Sequence, residues 1–487
     1  MIPLKKLISD AYPEYPDFAS IPDVAVRGIE CDSRKVAPGF LFIAIRGTQK
    51  DGNAYIEEAL RRGASAVVVE TNNGRAGNIP RVVLPDTRLA AARLASAFYG
   101  HPSRKLKVVG ITGTNGKTTT SYLIEFLLSK QNKKTGVIGT ISSRCGGREI
   151  PASETTPGPL ELQMMLGEMA AASCEAVVME VSSHALDQDR AGGVQFEGAL
   201  FTNLTQDHLD YHKSMKAYFE CKAKLFLGLA PGKFSVLNTD DRWGRKLSAM
   251  LLSKKITFGI KNAADSKAEN LKLDIQRSRF DLARGGEKIP VEIPLIGAHN
   301  VYNGLGALAA VQALGLDGAR AVRDLKDFPG VPGRLERVEC GQNFTVFVDF
   351  AHTPDGLENV LRAVSPYKKR KLILVFGCGG DRDRTKRPKM AATAAASADF
   401  VYVTSDNPRS EDPRSIMGEV VKGFPESFRN YAVVVDRGKA IRQALLGARR
   451  DDIVLLAGKG HERTQVVGSR SLPFSDREEA EKVLRGH

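Results

Sequence analysis

Val108-Val109-Gly110-Ile111-Thr112-Gly113-Thr114-Asn115-Gly116-Lys117-Thr118-Thr119-Thr120 is the stretch on which the fold turns. An apolar strand runs into a glycine-rich turn, and Lys-Thr-Thr then opens an amphipathic stretch over residues 122–128. Glycines let backbone N–H groups close around phosphate oxygens, and the following helix adds the partial positive charge of its N-terminus. Gly113, Thr114, Asn115, Gly116 and Thr119 read as the cradle, Lys117 as the group that reaches the outer phosphates, and the Thr118 hydroxyl as a Mg2+ ligand. Five residues rather than four separate Gly110 from Gly116, so the strict phosphate-loop spacing is not met. A structural hairpin is the bland alternative, but it does not account for Gly-Lys-Thr-Thr between a strand and a helix. The loop implies a nucleotide without choosing among kinase, GTPase, motor and ligase.

Outward from the loop, buried-strand runs alternate with helical patterns, which predicts an α/β fold with a mostly parallel sheet. The run 176–179 ends in Glu180, an acid well placed for a metal in a nucleotide crevice, where a surface acid would fit poorly. The runs 199–202 and 234–237 follow, and the first leads into Asn203-Leu204-Thr205-Gln206-Asp207-His208-Leu209-Asp210. A lone histidine is more often structural, but His208 beside Asp207 at a strand end is a candidate ligand. Towards the N-terminus, residues 39–45 and 64–69 read as strands around a helix at 55–62, and the pattern breaks near residues 101–104. Towards the C-terminus a helix is expected over 303–314, and two Pro-Gly pairs at 328–333 mark a linker. Beyond it, strands at about 344–348, 372–376, 400–404, 432–435 and 453–456 alternate with helices, with ligand loops expected at their carboxyl ends. The boundaries are therefore 1–104, 105–331 and 332–487.

Composition sets the class. At 487 residues, with 42% hydrophobic and 26% charged residues, the chain is a multidomain globular protein. Neither a signal peptide at the start nor an apolar run near 18 residues is present, so a cytoplasmic protein that engages no membrane is expected. The six cysteines are scattered without a C-x-x-C pair and imply neither zinc nor a disulfide framework. A net charge of +14 allows nucleic-acid binding, but the basic residues are interleaved with acids and form no tail. An anionic small substrate such as a nucleotide-sugar is the better reading, and no nucleic acid is expected.

Gly-Thr-Asn-Gly-Lys-Thr-Thr, Glu180-Val181-Ser182-Ser183-His184 and Asn-x-x-x-Asp-His-Leu-Asp-Tyr-His together resemble the Mur ligase family. Gly297-Ala298-His299-Asn300-Val301-Tyr302-Asn303, Pro332-Gly333-Arg334-Leu335-Glu336 and Asp349-Phe350-Ala351-His352-Thr353-Pro354-Asp355 extend the resemblance in family order over nearly the whole chain. It implies three domains: an N-terminal UDP-binding α/β domain, a central P-loop-type ATPase and a C-terminal Rossmann-like domain. It also implies an ATP-dependent, ADP-forming ligase of peptidoglycan synthesis that works through an acyl-phosphate, as a monomer. Lys117, Glu180, His208 and Lys222 would be its catalytic groups. Lys222 falls where the family carries a carbamylated lysine, made from CO2 and able to hold a second Mg2+; on sequence alone it is an ordinary helix lysine, and Lys224 is the rival. His299, Asn300 and Asn303 would contact ATP from the central domain, and Arg334 and Asp349 from the C-terminal one.

For the uridine nucleotide substrate the resemblance points to Cys31, Ser33, Thr48, Gln49 and Lys50, and for its sugar-peptide part to Thr155, Thr156, Ser182, Gln188 and Arg190. Glu154 stands where some relatives have asparagine and is left out. Asp406-Asn407-Pro408-Arg409 is similar to the signature of members that add meso-diaminopimelate to UDP-N-acetylmuramoyl-L-alanyl-D-glutamate, whereas lysine-adding members replace the arginine. The chemistry agrees, because an arginine fork binds the extra carboxylate bidentately. Asp406 and Glu462 could receive the distal ammonium, Arg382 offers a second positive group, and Gly458 lies beside them. Competing readings are a lysine-adding ligase, a folylpolyglutamate synthase and a nucleotide-binding scaffold without turnover. Arg409, the long N-terminal α/β segment, and the set Lys117, Glu180, His208 and Lys222 disfavour them in turn.

Overall fold

The computed structural model describes residues 1–19, 21–47, 50–71 and 79–486. Its first sheet is small and parallel, with Gly28–Glu30, Phe40–Ile43, Ala66–Val69 and Arg81–Val83 side by side in chain order. The strand expected at 39–45 contracts to Phe40–Ile43 because Gly39, at φ 85°, forms the turn that launches it. The helix expected at 55–62 is Ile56–Arg61, entered through a 3-10 turn at Gly52–Tyr55. Thr87–Phe98 is capped by the Asp86 side chain, which accepts from the N–H groups of Arg88 and Leu89. It packs Ala90, Ala91 and Leu94 into one core with Leu4, Leu7 and Ile8.

The second sheet has eleven strands, and the phosphate-loop strand Lys107–Thr112 lies near its middle. Ala176–Glu180 pairs with it on one side and Phe196–Phe201 on the other, both parallel. Thr135–Ile138 continues the sheet beyond the first, Phe234–Asn238 and Lys254–Gly259 beyond the second. The chain thus leaves the loop strand to one side and later crosses to the other. That reversal opens a crevice at the carboxyl ends of the three strands, where open α/β sheets bind ligands. Alternate strand residues feed two cores: Val109, Ile111 and Val178 face the helices Lys117–Lys130 and Ala298–Ala313, while Val108, Val177 and Met179 face Pro159–Ala171 and Met215–Leu227. The helix expected at 303–314 begins five residues earlier, so His299 and Asn300 stand on its first turn.

Two features were not expected from the sequence. A hairpin, Ser142–Cys145 with Arg148–Pro151, extends one edge, and an antiparallel meander of Ser266–Leu273, Ser278–Arg284 and Glu287–Ile293 extends the other. The meander strands alternate between buried and exposed residues because one face is solvated, and the outer hairpin strand is exposed throughout, so both features lack the continuous apolar runs of the parallel strands. The segment 328–333 is no loose tether either, since Phe328 and Val331 are buried in the central core.

The third sheet has the parallel order Thr345–Asp349, Ile453–Ala457, Leu372–Phe376, Phe400–Thr404 and Tyr431–Val434, with Glu336–Val338 antiparallel at one edge. Each of the five expected strands lies within one residue of its expected place. No helix among the described residues is long and apolar enough to cross a membrane.

The single tryptophan, Trp243, stacks on Phe219 with ring centroids 4.8 Å apart and so reports on the central unit. Leu305 is fully buried in that unit's core. Leu305→Ala should destabilise the unit by about 2–5 kcal/mol, seen as a lower urea midpoint in tryptophan fluorescence.

Candidate functional site

The loop is built around the carbonyl oxygen of Gly113. Lys117 Nζ donates to it at 3.0 Å and to the Thr114 carbonyl at 2.9 Å. Lys222 Nζ, arriving from the helix Met215–Leu227, donates to the same Gly113 oxygen at 2.9 Å and lies 3.4 Å from Thr112 Oγ1. Lys222 is 1% exposed, and burial, reinforced by the Lys117 charge, pushes its ammonium well below the ordinary lysine range. Lys224, two residues on, points to solvent and lies 4.0 Å from Asp187. The helix turns about 200° over two residues, so only Lys222 can face the loop.

Asn203, just after Phe196–Phe201, braces the turn: its carbonyl accepts from Thr114 N at 2.9 Å and its side-chain oxygen from Asn115 N at 3.0 Å. Gly116 sits at φ 86°, and Asn303 Oδ1 occupies the space a side chain at 116 would need. Asn303 in turn holds Asn300 Oδ1 at 2.9 Å, and Asn300 caps the Ile296 carbonyl, so two expected ATP contacts also pin helix Ala298–Ala313 to the loop. His299 is pushed down to about 4 by burial and is neutral at pH 7. Thr119 is buried on the first turn of its helix.

Glu180 is 1% exposed at the end of its strand. Its Oε2 accepts from Thr118 Oγ1 and Thr140 Oγ1, both at 3.0 Å, and its Oε1 from Thr140 N at 2.9 Å. A hydroxyl and a buried carboxylate therefore meet at the loop, as a nucleotide-bound Mg2+ requires. Among the described residues no group of three or more His, Cys, Asp or Glu side chains could hold a metal ion by itself. Mg2+ takes few protein ligands and completes its shell with phosphate oxygens and water. His208 adopts φ 53° and pairs with Asp207 at 3.4 Å. Desolvation outweighs Asp207 and, with the Lys117 and Lys222 charges, brings the imidazole down to about 4, leaving a neutral ligand nitrogen at pH 7.

The third sheet contributes across the crevice. Arg334 Nη2 reaches Thr118 Oγ1 at 3.3 Å, and its guanidinium lies 4.7 Å from the centre of the Phe350 ring. Asp349 is buried, and its oxygens accept from Leu335 N at 2.6 Å and Ala351 N at 2.8 Å, which fixes the turn carrying Arg334. Asp355, not singled out as a site residue from sequence, accepts from Asn115 Nδ2 at 2.5 Å and Thr205 Oγ1 at 3.0 Å. It thus latches the C-terminal sheet to the phosphate loop. Its place one residue past a Thr-Pro helix start was the available signal.

On the sugar-peptide side, Thr156 Oγ1 donates to the Glu180 carbonyl at 2.9 Å and accepts from Ser182 N at 3.0 Å, while Ser182 Oγ caps the next helix. Thr155 Oγ1 lies 3.1 Å from Thr140 Oγ1. Arg190 is held by Gln188 at 2.9 and 2.7 Å, by the Thr156 carbonyl and by Glu154, the residue left out above. In the first sheet Ser33 Oγ is already engaged by Glu58 at 2.7 Å, Cys31 is half-buried and Lys50 exposed. Thr48 and Gln49 lie outside the described residues.

At the carboxyl ends of the third sheet, Arg409 is half-buried at φ 53°, with Nη1 on the Gly380 carbonyl at 2.8 Å. Burial, with Arg382 nearby, lowers its proton affinity, while Asp406, Glu462 and Asp381 oppose that. Glu462 Oε2 accepts from Asn407 Nδ2 and from Lys459 Nζ, each at 2.8 Å. Lys459, fully buried, escaped the sequence reading although it lies between two assigned residues. Pro408 carries the chain from Asn407 to Arg409, and its carbonyl packs against Gly380. Among the described residues Arg382 makes one hydrogen bond, from Nη1 to the adjacent Asp381 carbonyl at 2.9 Å. A cationic fork and two carboxylates therefore lie together at these strand ends, the complement of a zwitterionic amino-acid centre.

Comparison with known proteins is consistent across the chain. Residues 25–99 match the model for the Mur ligase family catalytic domain, 111–311 the Mur ligase middle domain, and 333–460 the Mur ligase glutamate ligase domain. A curated UDP-N-acetylmuramoyl-L-alanyl-D-glutamate--2,6-diaminopimelate ligase of Geobacillus thermodenitrificans is 45% identical over 470 residues, covering 95% of each chain. The protein of that name from Syntrophomonas wolfei is 44% identical over 95% of this chain and 96% of its own. A solved structure with the same name superposes with a TM-score of 0.69 at 34% identity, over 98% of both chains. With such identity over nearly its full length, the chain belongs to the Mur ligase family.

Proposed function

We propose that this chain is an ATP-dependent, ADP-forming ligase that adds meso-2,6-diaminopimelate to the γ-carboxyl of the D-glutamate in UDP-N-acetylmuramoyl-L-alanyl-D-glutamate. The observation that carries the reading is the pocket of Arg409, Asp406 and Glu462, in a chain whose 44–45% identical relatives bear that name. Arg409 receives the distal carboxylate bidentately, and Asp406 and Glu462 receive the distal ammonium. Lysine lacks the carboxylate and would leave the half-buried guanidinium without its anion. Residues 1–104 hold the uridine nucleotide, 105–331 the ATP and 332–487 the amino acid, and Thr155, Thr156, Ser182, Gln188 and Arg190 lead the peptide from the first to the second.

In the reaction the γ-phosphoryl group of ATP passes to the substrate carboxylate, giving ADP and an acyl-phosphate. The free amine of diaminopimelate attacks the acyl carbon, and the tetrahedral adduct expels phosphate to leave the amide. Such chemistry needs positioning and charge neutralisation more than covalent help from the protein. Lys117 exchanges the carbonyls of Gly113 and Thr114 for phosphate oxygens, while His299, Asn300 and Asn303 hold the nucleotide from the helix side. Arg334 reaches the same phosphates from the C-terminal side, held in place by Asp349. Asp355 keeps the two sheets together, so that water is excluded from the acyl-phosphate. Thr118, Glu180 and His208 would hold Mg2+, which would neutralise phosphate charge. Every group named comes from one chain, so a monomer suffices, and the reading carries with it a cytoplasmic location, where ATP is made.

Lys222 acts as N6-carboxylysine. Its neutral amine attacks CO2 and loses a proton, so that a carboxylate able to hold a second Mg2+ replaces an ammonium buried against Lys117. The depressed proton affinity of Lys222 supports this, because only the free amine reacts.

An amino-acid panel read by phosphate release tests the reaction: release should require ATP, the UDP-dipeptide and diaminopimelate, and equal release with lysine would refute the choice of amino acid. Arg409→Ala should raise KM for diaminopimelate by about 30-fold or more, the loss expected of a buried charged contact of about 2–5 kcal/mol, and leave UDP-substrate binding unchanged by calorimetry. Lys222→Ala should fall by about two orders of magnitude in kcat, as for loss of an electrostatic stabiliser, and recover in part with added acetate or formate. Full activity in Lys222→Ala would remove the carbamate from the scheme.

A further inference from the structure

A buried arginine that no step above uses joins the two loops that carry Arg382 and Arg409. Arg387, on the first turn of the helix Lys386–Ser397, is 0% exposed. Its Nη1 donates to Glu411 Oε2 at 2.9 Å and to Glu419 Oε2 at 2.8 Å. Its Nη2 donates to Glu411 Oε1 at 2.8 Å and to the Gly379 carbonyl at 3.3 Å. Burial opposes its charge, but Glu411 and Glu419 hold it above the ordinary arginine range. A buried ion pair adds little stability over an apolar replacement, so where this one sits matters more than its strength.

It sits around the contact that aims Arg409. The Gly380 carbonyl accepts from Arg409 Nη1 at 2.8 Å, and both neighbours of Gly380 are tied down. Arg387 Nη2 holds the Gly379 carbonyl on one side, and Glu411 Oε1 accepts from Asp381 N at 2.6 Å on the other. Glu411, which receives both Arg387 nitrogens, lies two residues beyond Arg409. Two further bonds close the seam: Gly380 N donates to the Asn407 carbonyl at 2.9 Å, and Ser410 Oγ to Asp381 Oδ1 at 2.6 Å. The loops approach so closely that a Cβ at position 379 would lie 2.9 Å from Arg409 Nη1, and one at 380 would collide with the Pro408 carbonyl.

The backbone of Arg409 is fixed separately. Its N–H donates to the Val466 carbonyl at 3.0 Å, and its carbonyl accepts from Gly468 N at 2.7 Å. What the seam controls is therefore the guanidinium end. A binding group works only if it is held within about 0.5 Å of its productive place, which calls for support from behind.

We propose that Arg387 is a positioning residue for the incoming amino acid: with Glu411 it staples residues 379–383 to residues 406–411, so that the Gly380 carbonyl holds Arg409 Nη1 and directs the fork at the distal carboxylate. The proposal rests on the assignment of Arg409 to that carboxylate. Arg387 itself touches no substrate.

The test is a double-mutant cycle on KM for diaminopimelate, using wild type, Arg387→Gln, Arg409→Ala and the double variant. KM for ATP and for the UDP-dipeptide are the controls. Arg387→Gln should raise KM for diaminopimelate about tenfold, with kcat within about threefold and both control values within about twofold. In the Arg409→Ala background the same substitution should change KM for diaminopimelate by less than about twofold, because no fork remains to be aimed. A residue that only braces the fold would raise all three KM values together or keep its full effect without Arg409. Either result overturns the proposal, as does an unchanged KM in Arg387→Gln. Should Arg387→Gln give no folded protein, Glu411→Gln decides in its place. Its amide still accepts from Asp381 N but loses one bond to Arg387, so KM for diaminopimelate should rise about threefold with Arg409 present and not without it; any other pattern overturns the proposal. If wild type does not turn over diaminopimelate, or Arg409→Ala leaves its KM unchanged, the assignment of the site fails and the proposal falls with it. A rise in Arg409→Ala with none in Arg387→Gln sinks the staple alone.

Discussion

Two ammonium groups, those of Lys117 and Lys222, share the single carbonyl oxygen of Gly113. One lysine comes from the helix that follows the loop and the other from a helix 105 residues later in the chain, so the loop, the parallel sheet and Met215–Leu227 must all be in place before they meet. Like charges packed this closely in a buried site are costly. The cost is relieved in two ways visible here: Lys222 gives up its proton readily, and Glu180 stands across the loop as a buried anion. A polyphosphate completes the balance. The crevice is thus arranged for the nucleotide rather than for its own stability.

The second constraint is that the reacting groups come from different sheets. The loop belongs to the eleven-stranded sheet, while Arg334 and Asp355 belong to the C-terminal one, yet Arg334 touches Thr118 and Asp355 touches Asn115. Both contacts fall on loop residues next to the phosphate position. The contact between the two sheets is therefore made at the loop itself. A reaction through an acyl-phosphate gains from that coupling, because water reaches an open crevice as readily as an amine does.

The strands that build this crevice could be read from sequence because they are buried on both faces: the runs at 107–112, 176–180 and 372–376 are nearly continuous apolar segments that end where the chemistry begins. The meander Ser266–Ile293 was missed because its strands carry no continuous apolar run; the alternation that places Phe280, Leu282, Val291 and Ile293 in the core was the available signal. The site divides along the same line. Glu180 and Lys117 announce themselves by their position at the ends of apolar runs. Lys222 does not, because a lysine in a helix is ordinarily solvated, and only the fold shows that it is buried while Lys224 is not. Asp355 and Lys459 act through partners 240 and 52 residues distant, and pairings at such separations leave no local pattern to read.

The two ends of the crevice handle charge in opposite ways. Around Gly113 cations outnumber anions, which suits a ligand carrying several negative charges. Around Gly458 the signs alternate with burial: exposed Arg382 and half-buried Arg409, then Asp406 and Glu462, then fully buried Lys459 bound to Glu462. A ligand that fits such layers must itself alternate, with a carboxylate outermost and an ammonium next to it. An ordinary cationic side chain would satisfy the inner layer and leave the outer one unpaired, and a dicarboxylate would do the reverse. On the proposed reading, selectivity for the amino acid follows from the order of charges.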